Sequence, residues 1–407
     1  MDSISIGKTI AALRHRKGLT QSELAEKLNV SNKAVSKWES GQGYPDISLF
    51  PVIASLFGVS IDYLMLNKKG IAVAGNIITD VVKSISEYPE MGKLVNISEV
   101  SMAVGGCAPN VAISLAKIDP HLSVSVHGRV GSDENGRFVI STLRQNGVNV
   151  DGVIYSDRAP TSFTDVMSIP GGERTFFHGR GANVEFSPDD IKVKALNCDI
   201  LHIGYVMLLD LFDREDNEYG TAMARFLASV QAQGIRTSLD TVTTSGREFA
   251  EKMLPVLKYC DYLIVNELEI CDLFGIKARG DDGRISRKNI CEAMMRAREA
   301  GVSHYVIVHA KEVGFLLNVK TGELTVLPSL RIPREMIKGS VGAGDSFCAG
   351  ALYAIHNGYT DRRILELASA AAASNLFAAN SIDGVLPREE LDALCEKYPR
   401  QELILGE

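Results

Sequence analysis

The first 66 residues carry apolar side chains at intervals of three and four, which is the spacing of helices with one buried face. Ile6, Ile10 and Leu13 follow this spacing, as do Leu24 and Leu28. No part of this segment alternates apolar and polar residues as a half-buried strand does. The pattern predicts an all-helical domain over residues 1–66. Its four later helices are expected at residues 20–28, 32–39, 46–57 and 60–64.

Capping residues set the expected helix boundaries. Thr20 and Glu23 form the two ends of a capping box, in which each side chain bonds the backbone N–H of the other residue. Asp46 and Ser60 are placed to cap the fourth and fifth helices. Residues 67–70, Asn-Lys-Lys-Gly, then form a short polar linker.

Beyond residue 70 the pattern changes to β-branched runs that alternate with helical segments. Such βαβ units imply an α/β domain over residues 71–407, with a parallel sheet covered by helices on both faces. The six expected strands are residues 71–74, 123–126, 200–203, 237–239, 262–265 and 305–308. Residues 93–104 and 162–177 have the pattern of strand pairs without helices. They predict a small β lid built from about residues 76–106 and 160–180.

Composition excludes several classes of protein. Hydrophobic residues make up 45% of the 407 residues and charged residues 23%, and no run of 18 apolar residues occurs, so neither a membrane protein nor a disordered chain is expected. The basic, amphipathic start lacks the apolar segment of a secretory signal, which predicts a cytoplasmic location. The seven cysteines form no Cys-x-x-Cys pair and have no zinc-like spacing to histidine, so reduced thiols are expected.

Charge is divided unevenly along the chain. Residues 1–69 contain nine Lys or Arg and six Asp or Glu, whereas the remaining residues contain 34 and 44. This asymmetry favours a nucleic-acid-binding module joined to an acidic enzyme body.

A glycine-rich turn, Gly342-Ala343-Gly344-Asp345, directly precedes a segment with helical spacing at residues 345–356. Free N–H groups and the positive end of the helix dipole at such a position bind anions. The carboxylate of Asp345 could accept a proton from a hydroxyl that attacks a phosphoryl group. A motif this short is equally consistent with an ordinary turn in which Asp345 only starts a helix.

Other residues shift the balance toward phosphoryl transfer. They are Asp80, Gly105, Gly106, Asn110, Asn266 and Glu269. The glycines give a ligand close access to the backbone, and the polar side chains offer hydrogen bonds to sugar hydroxyls. These residues and Asp345 would converge at the carboxyl edge of the parallel sheet, where open α/β folds bind ligands.

These motifs stand in the order found in ribokinase-like carbohydrate kinases, often called the PfkB family, which the chain resembles from residue 71 to about residue 400. The shared elements are Gly75 with Asp80, Gly105-Gly106 with Asn110, Gly131-Ser132-Asp133 with Gly136, Gly181-Ala182-Asn183, Asn266 with Glu269, and Gly342-Ala343-Gly344-Asp345. The resemblance implies a ribokinase-like fold with a β lid. It also implies ATP-dependent phosphorylation of a sugar hydroxyl.

The resemblance further implies roles for the matching positions. Asp345 would be the catalytic base, and the backbone amides of Gly342, Ala343 and Gly344 would form the anion hole. Asn266 and Glu269 would organise Mg²⁺ through water. The expected nucleotide-binding residues are Asn266, Glu269, Ser340, Gly342 and Gly344. The expected sugar-binding residues are Asp80, Gly105, Gly106 and Asn110. Because the family's lid often pairs with another subunit's lid, a homodimer is expected.

One residue and two short segments depart from the family's pattern. Gly339 replaces an Asp associated with a monovalent-cation site, which argues against potassium activation. His309-Ala310-Lys311 stands where a Thr-Leu-Gly-like turn usually meets the nucleotide, and Asp240-Thr241-Val242 lacks the common Asp-Pro-Asn pattern. The base and the glycine-rich turn are intact.

The N-terminal segment resembles the DNA-binding domains of phage-repressor-like (Xre/Cro type) regulators over residues 6–66. In that helix-turn-helix geometry, the helix at residues 32–40 enters the major groove of double-stranded DNA. The expected DNA contacts are Gln21, Asn32, Lys33, Ser36 and Lys37. Leu24 and Trp38 are expected in the core. A helical bundle that serves only protein contacts is the alternative, but the basic recognition helix favours DNA.

Three hypotheses follow from the sequence. The first is an active, cytoplasmic sugar kinase that carries a DNA-binding domain and acts as a sugar-responsive transcription regulator. The second is a transcription factor in which the kinase fold senses a sugar or a nucleotide with little turnover. The third is a nucleoside kinase, because the same fold also serves nucleosides.

Overall fold

The computed structural model describes residues 3–57, 61–66, 69–169, 174–242 and 247–406. Within these ranges the N-terminal part folds into five helices, which are α1 Ser3–Arg16, α2 Gln21–Lys27, α3 Asn32–Glu39, α4 Phe50–Phe57 and α5 Ile61–Leu66. Their apolar faces enclose a separate core that includes Ile10, Leu24, Val35 and Ile53. The prediction of an all-helical N-terminal segment is confirmed.

Side-chain caps explain where these helices begin. Thr20 and Glu23 form the predicted capping box at the start of α2. Asp46 caps a single 3₁₀ turn, Ile47–Leu49, and α4 begins only after this turn. The prediction that Asp46 caps the fourth helix directly is therefore wrong by one turn. Ser60, the predicted cap of α5, lies outside the described residues.

The rest of the chain alternates strands and helices. The strands are β1 Ile71–Gly75, β2 Ile78–Ile85, β3 Ile97–Gly105, β4 Val124–Gly131, β5 Asn149–Ser156, β6 Phe163–Ser168, β7 Arg174–Gly179, β8 Ile200–Val206, β9 Glu215–Asp216, β10 Gly220–Thr221, β11 Arg236–Thr241, β12 Tyr262–Asn266, β13 Tyr305–His309, β14 Val313–Asn318 and β15 Leu324–Pro328. The helices are α6 Cys107–Ile118, α7 Glu134–Gln145, α8 Ala222–Gln231, α9 Arg247–Leu257, α10 Glu267–Leu273, α11 Arg287–Glu299, α12 Ala343–His356, α13 Asp361–Asn375 and α14 Arg388–Lys397.

One large sheet organises this part of the molecule. Its described strands run in the order β15-β14-β13-β12-β11-β8-β1-β4-β5, and all pairs from β13 to β5 are parallel. Helices pack on both faces, so the central strands are buried on both sides and consist of nearly continuous apolar residues. The predicted α/β fold with a mostly parallel sheet is confirmed, and each of the six predicted strands lies within or overlaps an observed one.

A second sheet, with the order β3-β2-β6-β7, forms the lid. Residues 162–177 contain the predicted pair, β6 and β7. Residues 93–104 do not, because they contain only β3, whose antiparallel partner is β2. Residues 78–85, which form β2, lie within the predicted lid range but outside the predicted strand pair, and they carry the polar residues Asp80, Lys83 and Ser84.

Helix α12 connects two ends of this domain. Its first turn lies at the glycine-rich motif, and His356 in its last turn lies 3.0 Å from the carboxylate of Asp199. The same carboxylate oxygen accepts hydrogen bonds from the backbone N–H groups of Lys69 (2.7 Å) and Gly70 (3.4 Å). Lys69 and Gly70, the end of the predicted linker, are thus fixed to the sheet domain, and residues 67–68 lie outside the described residues.

Across the described ranges, no helix combines the length and the apolar character that crossing a bilayer requires.

Candidate active site

The glycine-rich turn forms a backbone cradle at the start of α12. Gly342 is the N-cap, and its φ of 77° lies in the left-handed region that favours glycine. A Cβ atom at this position would lie 2.6 Å from the Cβ and the carbonyl oxygen of Ser381, so a larger residue would also collide. The first N–H groups of a helix have no partner within the helix and carry the positive end of its dipole. The turn can therefore hold an anion.

Asp345 lies in the first turn of α12 and is only 3% exposed. The side-chain amide of Asn110 donates to one carboxylate oxygen at 2.8 Å, and the hydroxyl of Tyr205 donates to the other at 3.4 Å. Burial raises the pKa of Asp345 to about 6, although these two hydrogen bonds oppose the shift. A carboxylate with this pKa can accept a proton near neutral pH.

Asn110, one of the predicted sugar-binding residues, links Asp345 to Ser381. It lies in the first turn of α6, where its carbonyl oxygen accepts a hydrogen bond from Ser381 Oγ at 2.9 Å while its amide group holds Asp345. Just before α6, Gly106 has a φ of 88°, and a Cβ there would lie 2.4 Å from the carbonyl oxygen of Asn76. These close contacts set the orientation of α6 relative to α12.

Asp80 enters the site from the lid. It lies in β2 opposite β3, and a Cβ on Gly105 would lie 2.2 Å from its carboxylate. Burial raises the pKa of Asp80 to about 6, and a hydrogen bond with Thr164 opposes this shift. The structure thus brings all four predicted sugar-binding residues to the junction between the lid and α6.

Asn266 and Glu269 form a reciprocal cap where β12 passes into α10. The Asn266 side-chain amide donates to Glu269 at 2.7 Å, and the Asn266 backbone N–H donates to the other Glu269 oxygen at 3.0 Å. The sequence predicts that these two residues lie together, and the structure places both in the wall of the cavity that also contains Asp345. Their positions follow from the capping box, which is a local motif.

A third acid, Asp240, completes a buried acidic cluster. Burial, together with the negative charges of Glu269 and Asp345, raises the pKa of Asp240 well above its usual value. Uncompensated carboxylates at this density are unfavourable, so the cluster favours a cation among them. In the sequence, Asp240 is noted only as the first residue of Asp240-Thr241-Val242, which lacks the family's Asp-Pro-Asn pattern, and its position in the cluster is visible only in the structure.

Two further residues belong to the site: the sequence does not identify Tyr205, and it identifies His309 only as part of the altered nucleotide turn. They line the same cavity as Asp345 and stand at the carboxyl ends of β8 and β13. Burial lowers the pKa of His309 to about 4, and its ring lies 4.9 Å from that of Phe347. The available signal is topological, because polar residues at the ends of adjacent parallel strands meet at one edge of the sheet.

Two cavities adjoin the cradle. The smaller one, about 280 Å³, is lined by polar residues, namely Tyr205, Asp240, Asn266, Glu269, His309 and Asp345, together with residues of the glycine turn. The larger one, about 720 Å³, has mainly apolar walls that include Leu330, Ile332, Phe347 and Leu376. Ser340 and Ala343 line both cavities. The arrangement suits a ligand with an apolar ring system and a charged tail that reaches the cradle.

The surroundings of Gly339 bear on the expected absence of a monovalent-cation site. A Cβ at this position would lie 2.9 Å from the carbonyl oxygen of Ala379 and 3.0 Å from that of Ala378. An aspartate could not occupy this place unless the backbone moved.

Four of the five predicted DNA-binding residues lie on one face of α3. Asn32, Lys33, Ser36 and Lys37 are exposed on α3, whereas Leu24 and Trp38 are buried as expected. Gln21, in the first turn of α2, is half-buried and donates a hydrogen bond to Glu39 at 2.8 Å. Glu39 in turn forms a buried ion pair with Arg14 at 2.6 Å. This network fixes α1, α2 and α3 relative to one another and leaves the outer face of α3 in solvent.

Comparisons with known proteins agree with this architecture. The family model of pfkB family carbohydrate kinases matches residues 68–387, and a helix-turn-helix family model matches residues 10–64. The chain is 26% identical over 303 residues to 5-dehydro-2-deoxygluconokinase of Geobacillus thermodenitrificans (strain NG80-2), an alignment that covers 70% of this chain and 81% of the relative. It is 39% identical over 85 residues to the HTH-type transcriptional activator BcrR of Enterococcus faecalis, which covers 21% and 42% of the two chains.

Solved structures show the same fold. The structure of Arabidopsis thaliana ribokinase complexed with ribose and ATP superposes with a TM-score of 0.67 at 22% identity, covering 81% of this chain and 99% of the ribokinase. Since the first family model covers most of the chain, the chain belongs to the pfkB family of carbohydrate kinases and is an ATP-dependent sugar kinase that carries an N-terminal helix-turn-helix domain.

Proposed function

We propose that this protein transfers the γ-phosphoryl group of ATP to a sugar hydroxyl, with Asp345 as the general base, and that this activity is coupled to DNA binding. The main support for the catalytic part is the position of Asp345. Its buried carboxylate adjoins the anion-binding turn and is held by Asn110, which belongs to the sugar side of the site. A hydroxyl bound beside Asn110 can thus meet both the base and a phosphoryl group.

The proposed reaction uses the two sides of the site together. Asp80, Gly106 and Asn110 bind and orient the sugar under the lid. Asp345 accepts the proton of the attacking hydroxyl, whose oxygen forms a bond to the γ-phosphorus while the bond between this phosphorus and the β–γ bridging oxygen breaks and ADP leaves. The amides of Gly342–Gly344 and the α12 dipole stabilise the charge that develops on the phosphoryl oxygens.

The residues at the acidic cluster fit Mg²⁺. Asp240, Glu269 and Asp345 repel one another, and a hard divalent cation with oxygen ligands relieves this repulsion. Asn266 and Glu269 would hold the ion through water, since their polar atoms already hold each other in the cap. When bound, Mg²⁺ would neutralise charge on the phosphate oxygens. The test is Glu269→Gln, which should raise the Mg²⁺ concentration needed for half-maximal activity. An unchanged titration would assign Glu269 to capping alone.

Substrate identity is tested by measuring ADP release with a panel of acceptors. The relatives' names direct the choice of 5-dehydro-2-deoxygluconate, fructose and ribose, and nucleosides test the nucleoside-kinase alternative. We expect one sugar or sugar acid to give a kcat/KM well above the others. A higher kcat/KM with a nucleoside than with any sugar would identify the protein as a nucleoside kinase instead. Binding of a sugar without ADP release would favour the sensor hypothesis, for which the altered nucleotide turn around His309 is the supporting observation.

DNA binding is proposed to take place through the exposed face of α3 in a homodimer. The lid offers the dimer contact, because Val100, Met102 and Phe177 expose large apolar side chains on one face of its sheet. A two-fold dimer should bind half-sites about 34–36 Å apart or a multiple of this distance. Both ATP and DNA are available in the cytoplasm, where we place this protein.

The coupling of the two activities is supported by the position of α12. This helix begins at the phosphate cradle and ends at His356, whose partner Asp199 also binds the backbone of Lys69 and Gly70. We expect sugar plus a non-hydrolysable ATP analogue to change DNA affinity by about 5–150-fold, the usual range of allosteric coupling. The measurement is a DNA titration with and without these ligands. The variant His356→Ala should reduce the ligand effect, and equal affinities in wild type with and without ligands would contradict the coupling.

A further inference from the structure

Behind the active site, three metal-ligating side chains from distant parts of the sequence meet. The Sγ atom of Cys107, a ring nitrogen of His202 and a carboxylate oxygen of Asp240 all lie within 4.8 Å of one another. Cys107 begins α6, His202 lies in the middle of β8, and Asp240 lies near the end of β11. The two side chains of Cys107 and His202 are fully buried, and Asp240 is 8% exposed. We propose that these residues bind a thiophilic divalent cation such as Zn²⁺.

The separations between the ligand atoms suit this ion. Cys107 Sγ lies 3.6 Å from His202 Nε2 and 3.9 Å from Asp240 Oδ2. With zinc–sulfur bonds of about 2.3 Å and zinc–nitrogen or zinc–oxygen bonds of about 2.0–2.2 Å, tetrahedral geometry places ligand atoms roughly 3.3–3.8 Å apart. The three groups therefore need only small side-chain movements. A second sulfur, Cys348 Sγ, lies 3.6 Å from the same histidine nitrogen and adds to the soft character of the site.

Two of the three ligands, His202 and Asp240, are oriented by a hydrogen bond behind them, as in established metal sites. His202 Nδ1 lies 3.0 Å from Ser238 Oγ, and when Nδ1 donates to this hydroxyl, the lone pair of Nε2 is directed to the sulfurs. Asp240 Oδ1 accepts a hydrogen bond from the backbone N–H of Thr241 at 2.7 Å, which leaves Oδ2 toward Cys107. Gly204 makes room for the thiol, because a Cβ there would lie 1.8 Å from Cys107 Sγ.

Charge and access also favour a cation at this site. His202 is fully buried beside the two sulfur atoms of Cys107 and Cys348, so these three side chains are shielded from solvent. A divalent ion would balance a Cys107 thiolate and an Asp240 carboxylate without leaving a net charge among the buried groups. Asp240 also lines the 280 Å³ cavity of the active site, which gives an ion a path from solvent and leaves a fourth position for water. Asp240 lies between this site and the proposed Mg²⁺ site, and the sulfur and imidazole ligands distinguish the first from the second, whose other ligands are oxygen atoms.

The test uses the full-length protein and does not depend on its kinase activity. Protein dialysed against a zinc-buffered solution should retain about one zinc per chain in elemental analysis, as a built site with protein ligands does. Cys107→Ser and His202→Ala should each reduce the retained zinc by at least about tenfold. Cys260→Ser is the matched control, since Cys260 is fully buried elsewhere and should leave the zinc content unchanged.

A second measurement needs no variant that might fail to fold. Metal-free wild-type protein titrated with Co²⁺ should develop the near-ultraviolet absorption of a thiolate bound to cobalt, and added Zn²⁺ should abolish it. Wild-type protein that retains no zinc and shows no such band would overturn the proposal. Retention of zinc at the wild-type level by both Cys107→Ser and His202→Ala would overturn the proposal as well. Neither outcome affects the assignment of Asp345 as the base.

Discussion

Helices α3 and α12 use polar residues in opposite ways. On α3, the side chains of Asn32, Lys33 and Lys37 are exposed to solvent. On α12, every residue from Asp345 to Ala354 is buried. Burial raises the basicity of Asp345, the proposed base, whereas the α3 residues proposed to bind DNA are exposed to solvent. Substitutions on α3 should therefore change DNA affinity without changing the fold. Substitutions at α12 should change the rate of phosphoryl transfer, because they alter the surroundings of the Asp345 carboxylate.

The largest effect is expected for Asp345→Asn. The amide keeps the shape of the side chain but cannot accept a proton, and general-base assistance contributes about 10²–10⁴-fold to rate. We expect kcat to fall by this factor while circular dichroism and the melting temperature change little. Activity comparable to that of wild type would show that Asp345 is not the general base. The proposed difference between the buried α12 and the exposed α3 would then no longer hold.

The combined substitution Lys33→Ala and Lys37→Ala tests the exposed helix. Removing two side chains that bind phosphates or bases should weaken DNA binding by roughly 10–100-fold, and the slope of log K against log salt should become shallower by about one unit for each phosphate that is no longer neutralised. Kinase activity should not change. Lys8→Ala, at an exposed position on α1, is the matched control. An equal decrease of affinity in both proteins would indicate a general charge effect rather than a recognition helix.

The pH dependence of kcat/KM sharpens the contrast at the buried helix. The pKa of Asp345 is raised to about 6, and only the deprotonated carboxylate can act as a base. Activity should therefore be retained above this pH and fall about tenfold per pH unit below it. A profile that stays flat down to a pH of about 4.5 would contradict the desolvated environment of Asp345.

The smallest effect is expected for Tyr205→Phe. Tyr205 has a φ of 60°, an uncommon conformation for an aromatic residue, and its hydroxyl donates to Asp345. The hydrogen bond from Tyr205 opposes the rise in the pKa of Asp345, so its loss should raise this pKa further and shift the acid limb of the pH profile to higher pH. The value of kcat should fall several-fold, with little change in KM. Tyr155→Phe, at an exposed tyrosine, is the control. An unchanged acid limb would show that Tyr205 only packs against the base.

The parts of the molecule that local motifs encode could be predicted from sequence. The capping box of Thr20, the face of α3 and the glycine turn before Asp345 all depend on residues only a few positions apart. Asp240, Tyr205 and His309 could not be identified in the same way, because each stands alone at the end of a different strand and acquires its neighbours through sheet order. The pairing of β2 with β3 is not predictable for a similar reason, since a strand with mixed polarity gives no clear alternation.

The attachment of Lys69 to Asp199 has a consequence for operator architecture. Helix α5 ends at Leu66, so only three Cα steps of about 3.8 Å, or roughly 11 Å, separate the DNA-binding domain from an anchored point of the kinase domain. Inserting about five base pairs between two half-sites displaces one of them by about 17 Å along the duplex and turns it to the opposite face. The axial displacement alone would take up most of the combined reach of the two tethers in a dimer, roughly 22 Å, and the turn to the opposite face adds a further displacement. In the proposed homodimer, the distance between the two kinase domains would then determine which spacing of operator half-sites the protein can bind.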